Sequence, residues 1–361
     1  MGWIGLADHT GGWFSLEGAG GDPNAGAIAP DTLLPRGTLM IEARISPENR
    51  PQTLLAFDRS YPWPGSFSLR ALPGGSLVLV EAQGPDTRSA VLPCGYRGRL
   101  ETVLITYSWD APAQRGWLAL ETSEPGGLQM VEIAGARPML LSDLREMLLH
   151  AGRRQMDGDV LHVALSDAVE PVGPMPTLTA HTRIMTAQGE RAVRDLKRGD
   201  LVRIDRGALV PVLKLLRRVV PARGSYQPVR LRAGYFGLTR DIAVAPEQRL
   251  VMRGSEVEYM FGREAVLVPA RHLVNGVSAV LAQGPEMVSF YQILLPGHEA
   301  VLASGCAVES LYVGRIRRKP LELGRSVLAS ANRARLPEHA RPVWPVLKPF
   351  EAITLATSRA A

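Results

Sequence analysis

The sequence predicts a mainly β protein that folds as two domains. A chain of 361 residues exceeds what one hydrophobic core usually organises. Its 36 Gly and 28 Pro lie between short apolar runs, and this composition is typical of strands joined by many turns. Charge also divides the chain, because residues 1–170 carry 13 Arg, no Lys and 20 acidic residues, whereas the remainder carries 28 basic and 15 acidic residues. We therefore expect two bodies with separate surfaces.

Alternating apolar clusters predict the strands of a β-sandwich in the first part of the chain. Apolar and polar side chains alternate in residues 66–72 and 76–83, and Pro73-Gly74-Gly75 between them predicts a hairpin turn. Further clusters, each expected to be a strand, occupy residues 38–45, 53–58, 101–109 and 116–122. One helix is predicted over residues 142–150, with Ser142 as its N-cap.

The end of this first segment carries a family resemblance. LLHAGRRQMDGDVLHVALSDA at 148–168 resembles the closing strand of concanavalin A-like and laminin-G-like domains, which implies a jelly-roll-like β-sandwich over residues 1–171. A carbohydrate site on such a sandwich needs polar and aromatic side chains that meet in a groove. The candidates are Asp58, Tyr61, Trp63, Asp86 and Trp109. The same aromatics could instead be core or rim residues, and no paired-carboxylate motif of a glycosidase is present.

A second resemblance begins after a proline-rich connector. VEPVGPMPTL at 169–178 has three prolines within six residues, which predicts an extended linker and a boundary near residue 172. TLTAHTRIMTAQGERAVRDLKRGDLV follows from Thr177 and resembles the opening segment of a Hint (Hedgehog/intein) module. The matching positions are Thr182, Thr186, Gly189, Leu196, Gly199, Asp200 and Val202.

Later segments are similar to the later blocks of the bacterial Hint type. They read DIAVAPEQRLVM at 241–252, ARHLVNG at 270–276 and FYQILLPGHEAVLASGCAVESL at 290–311. The resemblance implies a C-terminal Hint β-fold over residues 172–318. It also implies a tail over 319–361 whose segment LKPFEAITL, 347–355, packs on that domain as a strand.

The resemblance places two chemically altered residues at the family's reactive positions. It implies a Cys or Ser nucleophile at position 177, which attacks the preceding peptide bond, and a proton-donating histidine at position 248; the chain has Thr177 and Gln248. A threonine hydroxyl does not ionise near neutral pH, and its β-branch restricts its rotamers. A glutamine amide donates hydrogen bonds but does not deliver a proton, which alone removes roughly 10²–10⁴-fold of acid–base catalysis. Ala245 stands where the family has a threonine.

Five further residues are candidates near this site. By spacing from Ser304-Gly305, the positions of the final His-Asn pair hold Glu309 and Ser310, and neither can cyclise as asparagine does. His298 and His181 are possible remnants or replacements of the missing base, although each could be a structural residue. Cys306 lies in an apolar strand pattern, so a buried thiol is favoured over a relocated nucleophile.

Composition limits the other classes of function. Cys94 and Cys306 are the only cysteines, one in each expected domain, so neither a zinc framework nor a disulfide scaffold is expected, and no metal or cofactor is predicted. The pI near 9.6 raises nucleic-acid binding as a hypothesis. However, no run of Arg alternates with aromatic residues, so no specific nucleic-acid partner is expected.

The sequence also bears on the location of the protein. MGWIGLADHTGGWF lacks the basic start and apolar core of a signal peptide, and no run of 18 apolar residues occurs. We expect a soluble protein without a membrane span, either cytoplasmic or exported by a non-classical route.

The function that these observations favour is that of a degenerate, non-processing Hint-domain protein. It would act as a structural or binding module whose partner is a protein or a carbohydrate. The alternative is slow self-cleavage before Thr177, with help from His181 or His298. A third hypothesis, nucleic-acid binding by the basic second half, predicts steeply salt-dependent retention on DNA.

Overall fold

The chain divides into two units, Met1–Val172 and Gly173–Ala361. The computed structural model describes residues 2–19, 21, 29, 31–45, 50–94, 101–122 and 127–359. Antiparallel β-sheets dominate both units, which confirms the predicted mainly β fold class.

The first unit is a sandwich with one α-helix, α1 (Leu141–Leu149), among its described residues. Its described strands are β1 (Trp3–Ala7), β2 (Gly12–Phe14), β3 (Leu33–Leu34), β4 (Arg36–Ile45), β5 (Gln52–Arg59), β6 (Gly65–Ala71), β7 (Ser76–Gln83), β8 (Asp86–Pro93), β9 (Glu101–Asp110), β10 (Arg115–Glu121), β11 (Leu128–Ala134), β12 (Met139–Leu140), β13 (Arg154–Gln155) and β14 (Val160–Ser166).

Two large sheets enclose the core of this unit. In the described residues, one sheet has the order β11-β10-β9-β4-β14-β1-β2 and the other β13-β5-β6-β7-β8, and β12 pairs with β3 separately. Alternate side chains of both sheets share one buried cluster, for example Ile41, Ile105, Leu55 and Leu69. This alternation is the period-2 pattern that the sequence showed, because successive side chains of a strand point to opposite faces.

The predicted strands agree with this sandwich, and the predicted helix cap does not. Gly74 and Gly75 have φ of +92° and +85° in the turn between β6 and β7, a conformation that favours glycine. The helix begins at Leu141 with Leu140 at the N-cap position and no side-chain cap, so the prediction of Ser142 as N-cap was wrong. The helix buries a stripe formed by Leu141, Leu144, Met147 and Leu148, and its first residue, Leu141, is part of that stripe.

The second unit contains fourteen strands over residues 173–359. They are β15 (Leu178–Thr179), β16 (Arg183–Thr186), β17 (Gly189–Ala192), β18 (Leu201–Arg203), β19 (Leu209–Pro211), β20 (Lys214–Pro221), β21 (Val229–Leu231), β22 (Ile242–Val244), β23 (Arg249–Arg253), β24 (Ala265–Pro269), β25 (Ala279–Leu281), β26 (Met287–Leu294), β27 (Ala300–Ala303) and β28 (Cys306–Glu309). Its α-helices over the same range are α2 (Ser255–Phe261), α3 (Pro320–Arg325) and α4 (Pro349–Ser358).

Two sheets organise these strands over residues 173–359. One has the order β20-β26-β15-β22-β21-β25, so the short strand β15 lies between β26 and β22 in its interior. The other has the order β19-β18-β16-β27-β28-β23-β24, and β17 pairs with β16 at its side. Side chains from both sheets meet in one buried cluster that includes Leu178, Val244, Leu250, Ile293 and Val308.

The turns of this unit explain several residues of the opening motif. Thr186 and Gly189 face each other across the β16–β17 hairpin, where Gly189 has φ of +100° and the Thr186 hydroxyl donates to its carbonyl at 2.7 Å. The carboxylate of Asp200 accepts the backbone N–H of Lys197 at 2.8 Å and a guanidinium N–H of Arg191 at 2.9 Å. These contacts shape the backbone that carries β16 and β18.

The C-terminal tail is folded, but its predicted strand is largely a helix. Residues 349–358 form α4, with Pro349 in the first turn and the side chain of Glu351 accepting the backbone N–H of Lys348 at 2.7 Å. These are helix-start signals, and Ala352 and Leu355 are buried on one face of the helix. The extended pairing lies just upstream, where Pro345 and Leu347 bond to the backbone of Leu267. The strand prediction for 347–355 was therefore wrong for most of its length.

Candidate functional site

The candidate site lies where four strands of the second unit approach one another. Thr177 directly precedes β15, and its carbonyl accepts the N–H of Ala245 at 2.7 Å after β22. Gln248 directly precedes β23, held in a turn in which its own N–H donates to the Ala245 carbonyl at 2.9 Å. Gln292 lies in β26, and Glu309 ends β28.

Thr177 and Gln248 are in direct contact, 71 residues apart in sequence. The Thr177 hydroxyl donates to Oε1 of Gln248 at 2.6 Å, and both side chains are buried. The Gln248 Nε2 donates to the carbonyls of Arg249 at 2.8 Å and Glu309 at 3.2 Å. The two positions that the sequence selected therefore meet in the buried interior of this unit.

Gln292 contacts both of these side chains, although the sequence analysis did not select it. Its Nε2 lies 2.8 Å from Oγ1 of Thr177, 3.2 Å from Oε1 of Gln248 and 3.2 Å from the Glu309 carbonyl. Its Oε1 accepts the N–H of Ile293 at 3.1 Å. The signal in the sequence was an amide side chain within FYQIL, the largely apolar second half of β26. We call Thr177, Gln248 and Gln292 the amide cluster.

A charged group lies beside the amide cluster. Oε1 of Glu309 lies 2.9 Å from a guanidinium nitrogen of Arg249 and 3.0 Å from Nε2 of His298. The His298 Nδ1 accepts the backbone N–H of Val343 at 2.8 Å, which leaves the ring proton of a neutral imidazole on Nε2, facing the carboxylate. All three charged or ionisable side chains are largely buried, with 1% to 14% of their surface exposed.

The chemistry available to Thr177 follows from its partners. Its hydroxyl proton points at an amide oxygen, which is a very weak base, and its oxygen accepts a hydrogen bond from Gln292. The N–H of the Pro176–Thr177 peptide bond donates to the Tyr291 carbonyl at 3.2 Å, as part of the β ladder. Among the described residues, no imidazole or carboxylate is hydrogen-bonded to Thr177 or to this peptide bond.

Three other predicted residues do not join the amide cluster. Ser310 is buried, and its hydroxyl accepts the N–H of Glu299 at 3.2 Å. His181 is exposed, with its ring nitrogen 3.2 Å from a guanidinium nitrogen of Arg194. Cys306 is buried, and burial raises the pKa of its thiol to about 12, so it is not ionised near neutral pH.

In the sandwich, four of the five predicted ligand residues lie at one end of the five-stranded sheet. Asp58 is near the end of β5, Tyr61 and Trp63 lie in the following loop, and Asp86 begins β8. The Pro64 carbonyl accepts the N–H of Gly84 at 2.7 Å, which joins this loop to the β7–β8 turn. Tyr61 is 78% exposed and Trp63 37% exposed.

Trp109 is a core residue, and its prediction as a ligand contact was wrong. It is fully buried between the sheets, and its Nε1 donates to the Leu34 carbonyl at 2.9 Å. The ring lies 5.6 Å from that of Tyr107 in a tilted arrangement. Both side chains point inward because they follow Val103 and Ile105 at a spacing of two residues.

The second unit thus holds a buried hydroxyl side chain against a second buried polar side chain, each beside a strand of a different antiparallel sheet. Residues 176–315 match the family model described as Hint domain. The resemblance that the sequence showed is thereby confirmed.

Solved structures show likeness to each unit in turn. The gp41-1 intein is 12% identical and covers 37% of this chain and 97% of its own, with a TM-score of 0.25. A bacterial intein-like domain from Clostridium thermocellum is 18% identical, covering 38% and 99%, with a TM-score of 0.27. The CBM40 of a Ruminococcus gnavus IT-sialidase, bound to α2,6-sialyllactose, is 16% identical, covering 36% and 75%, with a TM-score of 0.25. No curated protein matches the chain.

Two further findings concern the described residues alone. Within them, no group of three or more His, Cys, Asp or Glu side chains is placed to hold a metal ion. In the same ranges, no helix has the length and apolar character needed to cross a membrane.

Proposed function

We propose that the Hint domain of this protein does not cleave its own backbone and serves as a structural or binding module. The observation that carries this proposal is the contact of 2.6 Å between the Thr177 hydroxyl and the Gln248 amide oxygen. Self-cleavage requires a nucleophile that loses its proton and a donor that protonates the departing amide nitrogen.

The amide cluster supplies neither function. Attack of Oγ1 on the Pro176 carbonyl would form an ester and break the amide bond, so the hydroxyl proton must move to a base. The side-chain amides of Gln248 and Gln292 neither take up nor release a proton near neutral pH, and each already bonds to neighbouring backbone groups. The cluster is therefore satisfied as it stands, which favours a structural role.

Intact-mass measurement of the purified protein under denaturing conditions tests this proposal. We expect one species of the full chain, before and after incubation with hydroxylamine, which would cut an ester formed at Thr177. The matched control is Thr177→Ala. Fragments 1–176 and 177–361 that form in the wild type and not in Thr177→Ala would overturn the proposal and establish slow self-cleavage with Thr177 as the nucleophile.

We further infer that the sandwich offers the binding surface, at the end that carries Asp58, Tyr61, Trp63 and Asp86. What supports this inference is the exposure of two aromatic rings beside polar side chains. The Trp63 ring also lies 4.9 Å from the guanidinium carbon of Arg59, which holds it in place. Aromatic faces of this kind bind apolar sugar faces or protein side chains.

A glycan panel that includes α2,6-sialyllactose tests the carbohydrate form of this inference. Binding that is lost in Trp63→Ala and Tyr61→Ala, but kept in Tyr235→Ala, supports a glycan site. Tyr235 is 45% exposed in the second unit, so its removal controls for loss of a surface tyrosine. If no glycan binds, the carbohydrate form is excluded and a protein partner is the remaining candidate.

A further inference from the structure

The segment after the Hint match carries a second, separate charge feature. Residues 316–341 contain seven basic and two acidic residues, a formal charge of +5 in a chain whose total is +6. The segment is ordered by a buried cluster of its own, in which Ile316, Leu323, Leu328 and Leu336 pack with Leu216 and Leu294 of the Hint domain. The arginines of this segment therefore belong to a folded part of the chain.

Three of these arginines line one open cavity. The cavity has a volume of about 560 Å³, and its lining residues are Arg317, Arg318, Asn332, Arg333, Ala334 and Glu338. Three guanidinium groups face a single carboxylate there, which leaves a local charge of +2. No aromatic or large apolar side chain lines the cavity, so it offers charge and hydrogen bonds but no stacking surface.

The single carboxylate is fully engaged and stays ionised. Glu338 accepts from Arg318 through both oxygens at 2.7 Å and from Nε of Arg317 at 2.6 Å. Hydrogen bonds from Arg318 and then Arg317 lower the pKa of Glu338 to about 2. The excess positive charge of the cavity is thus present at every physiological pH.

Hydrogen-bond donors remain available beside this ion pair. Arg333 donates a hydrogen bond from Nε to the Arg317 carbonyl at 2.6 Å. Its two terminal guanidinium nitrogens make no hydrogen bond within the described part of the chain. Asn332 uses its Oδ1 to accept the N–H of Ala334 at 3.0 Å, which leaves its amide N–H groups as donors. Guanidinium forks match the oxygens of a tetrahedral oxyanion in geometry as well as in charge.

We propose that this cavity binds the phosphate group of a small phosphorylated ligand. A phosphate that carries about two negative charges near neutral pH balances the +2 of the cavity and accepts several hydrogen bonds at once. The lack of a ring in the lining argues against recognition of a nucleobase. The site lies outside residues 176–315 and is independent of the amide cluster.

Calorimetric titration of the full chain with inorganic pyrophosphate at low salt tests the site. We expect saturable binding that Arg333→Gln weakens roughly tenfold or more, because a charge-assisted hydrogen bond is lost. Arg230→Gln is the matched control, since Arg230 is exposed in the Hint domain and the change in charge is the same. Glu338→Gln is expected to bind severalfold more tightly, because it frees two guanidinium groups and removes a repulsive charge.

Three results would overturn the proposal. One is the absence of saturable binding, and another is an equal loss of affinity in Arg333→Gln and Arg230→Gln, which would indicate a general charge effect. The third is binding of a single-stranded oligonucleotide or of anionic vesicles that is much tighter than that of pyrophosphate and is lost in Arg333→Gln, which would make a macromolecular anion the occupant of the cavity. The unfolding midpoint of each variant establishes that the folded chain was titrated.

Discussion

Gln292 donates a hydrogen bond to Thr177 across two adjacent strands, at 2.8 Å between Nε2 and Oγ1. The antiparallel register of β15 and β26 pairs Leu178 with Tyr291, and this pairing brings Thr177 beside Gln292. The same amide also lies 3.2 Å from Oε1 of Gln248, so one side chain contacts both Thr177 and Gln248.

The first prediction concerns the stability contributed by this side chain. Gln292→Leu keeps a similar volume but leaves buried oxygens of Thr177, Gln248 and the Glu309 carbonyl without this donor. We expect the free energy of unfolding of the second unit to fall by about 1–3 kcal/mol, measured by urea denaturation. Gln188→Leu, at an exposed turn, should change it little. Equal effects of the two substitutions would show that the amide cluster adds no stability.

The second prediction is that the reactive chemistry can be rebuilt. Thr177→Cys combined with Gln248→His places a thiol and an imidazole at the two positions that are in contact. We expect hydroxylamine to release residues 1–176 from the double variant, because a thiol attacks the Pro176 carbonyl and the imidazole protonates the departing nitrogen. Thr177→Cys alone should react roughly 10²–10⁴-fold more slowly. A folded double variant that stays intact would show that more than these two residues has been lost.

The third prediction concerns the turn that connects β27 and β28. Gly305 has φ of +92°, and a Cβ atom built there would lie 2.5 Å from the Gly237 carbonyl oxygen. Gly207 has φ of +85° with open space around it. Gly207→Ala should therefore lose about 1–2 kcal/mol from backbone strain alone. Gly305→Ala should lose more, because it adds the steric contact. Thermal unfolding of both variants gives the comparison, and a smaller loss for Gly305→Ala would contradict it.

The fourth prediction is a pH dependence that originates at His339. Burial lowers the pKa of this imidazole to about 4, whereas a histidine in an unfolded chain titrates near 6.5. Between about pH 6.5 and 4 the unfolded chain therefore binds a proton that the folded chain does not. The free energy of unfolding should therefore decrease as the pH is lowered from about 6.5 to 4, by up to about 1.4 kcal/mol per pH unit from this group.

Well above pH 6.5 the ring is neutral in both states and adds no pH dependence. Urea titrations of the wild type and of His339→Gln at pH 7, 6 and 5 measure the difference in slope. We expect a shallower decline in the variant, whatever its stability at pH 7. Parallel curves would rule out His339 as the source.

Much of the fold could be predicted because strand burial leaves a strong pattern. The alternation in residues 66–72 and 76–83 predicted the β6–β7 hairpin. The order of several motifs predicted the resemblance to Hint domains that the family model also matches over residues 176–315. Trp109 was misassigned although the same alternation places it with Tyr107 on the inner face. Its residue type suggested a ligand contact, but the position in the strand decided its environment.

The remaining differences have two sources, which are tertiary contacts and one set of overlooked local signals. Gln292 lies in the segment 290–311 that resembles a later Hint block, but its contact with Thr177 depends on the register between β15 and β26, which no local pattern encodes. His181 is close in sequence to Thr177, but the chain turns it outward to Arg194. In the tail, Pro349 and Glu351 were local signals for a helix, and the resemblance to a family strand outweighed them.

The C-terminal segment makes the folding unit longer than the homologous region. A domain cut at residue 315, where the family match ends, would uncover Leu216 and Leu294 and deprive His298 of the Val343 N–H. Such a fragment would expose apolar side chains to solvent and would leave His298 without this hydrogen bond, and we expect it to aggregate. Anyone who excises this domain for study should therefore carry the chain through to its final helix.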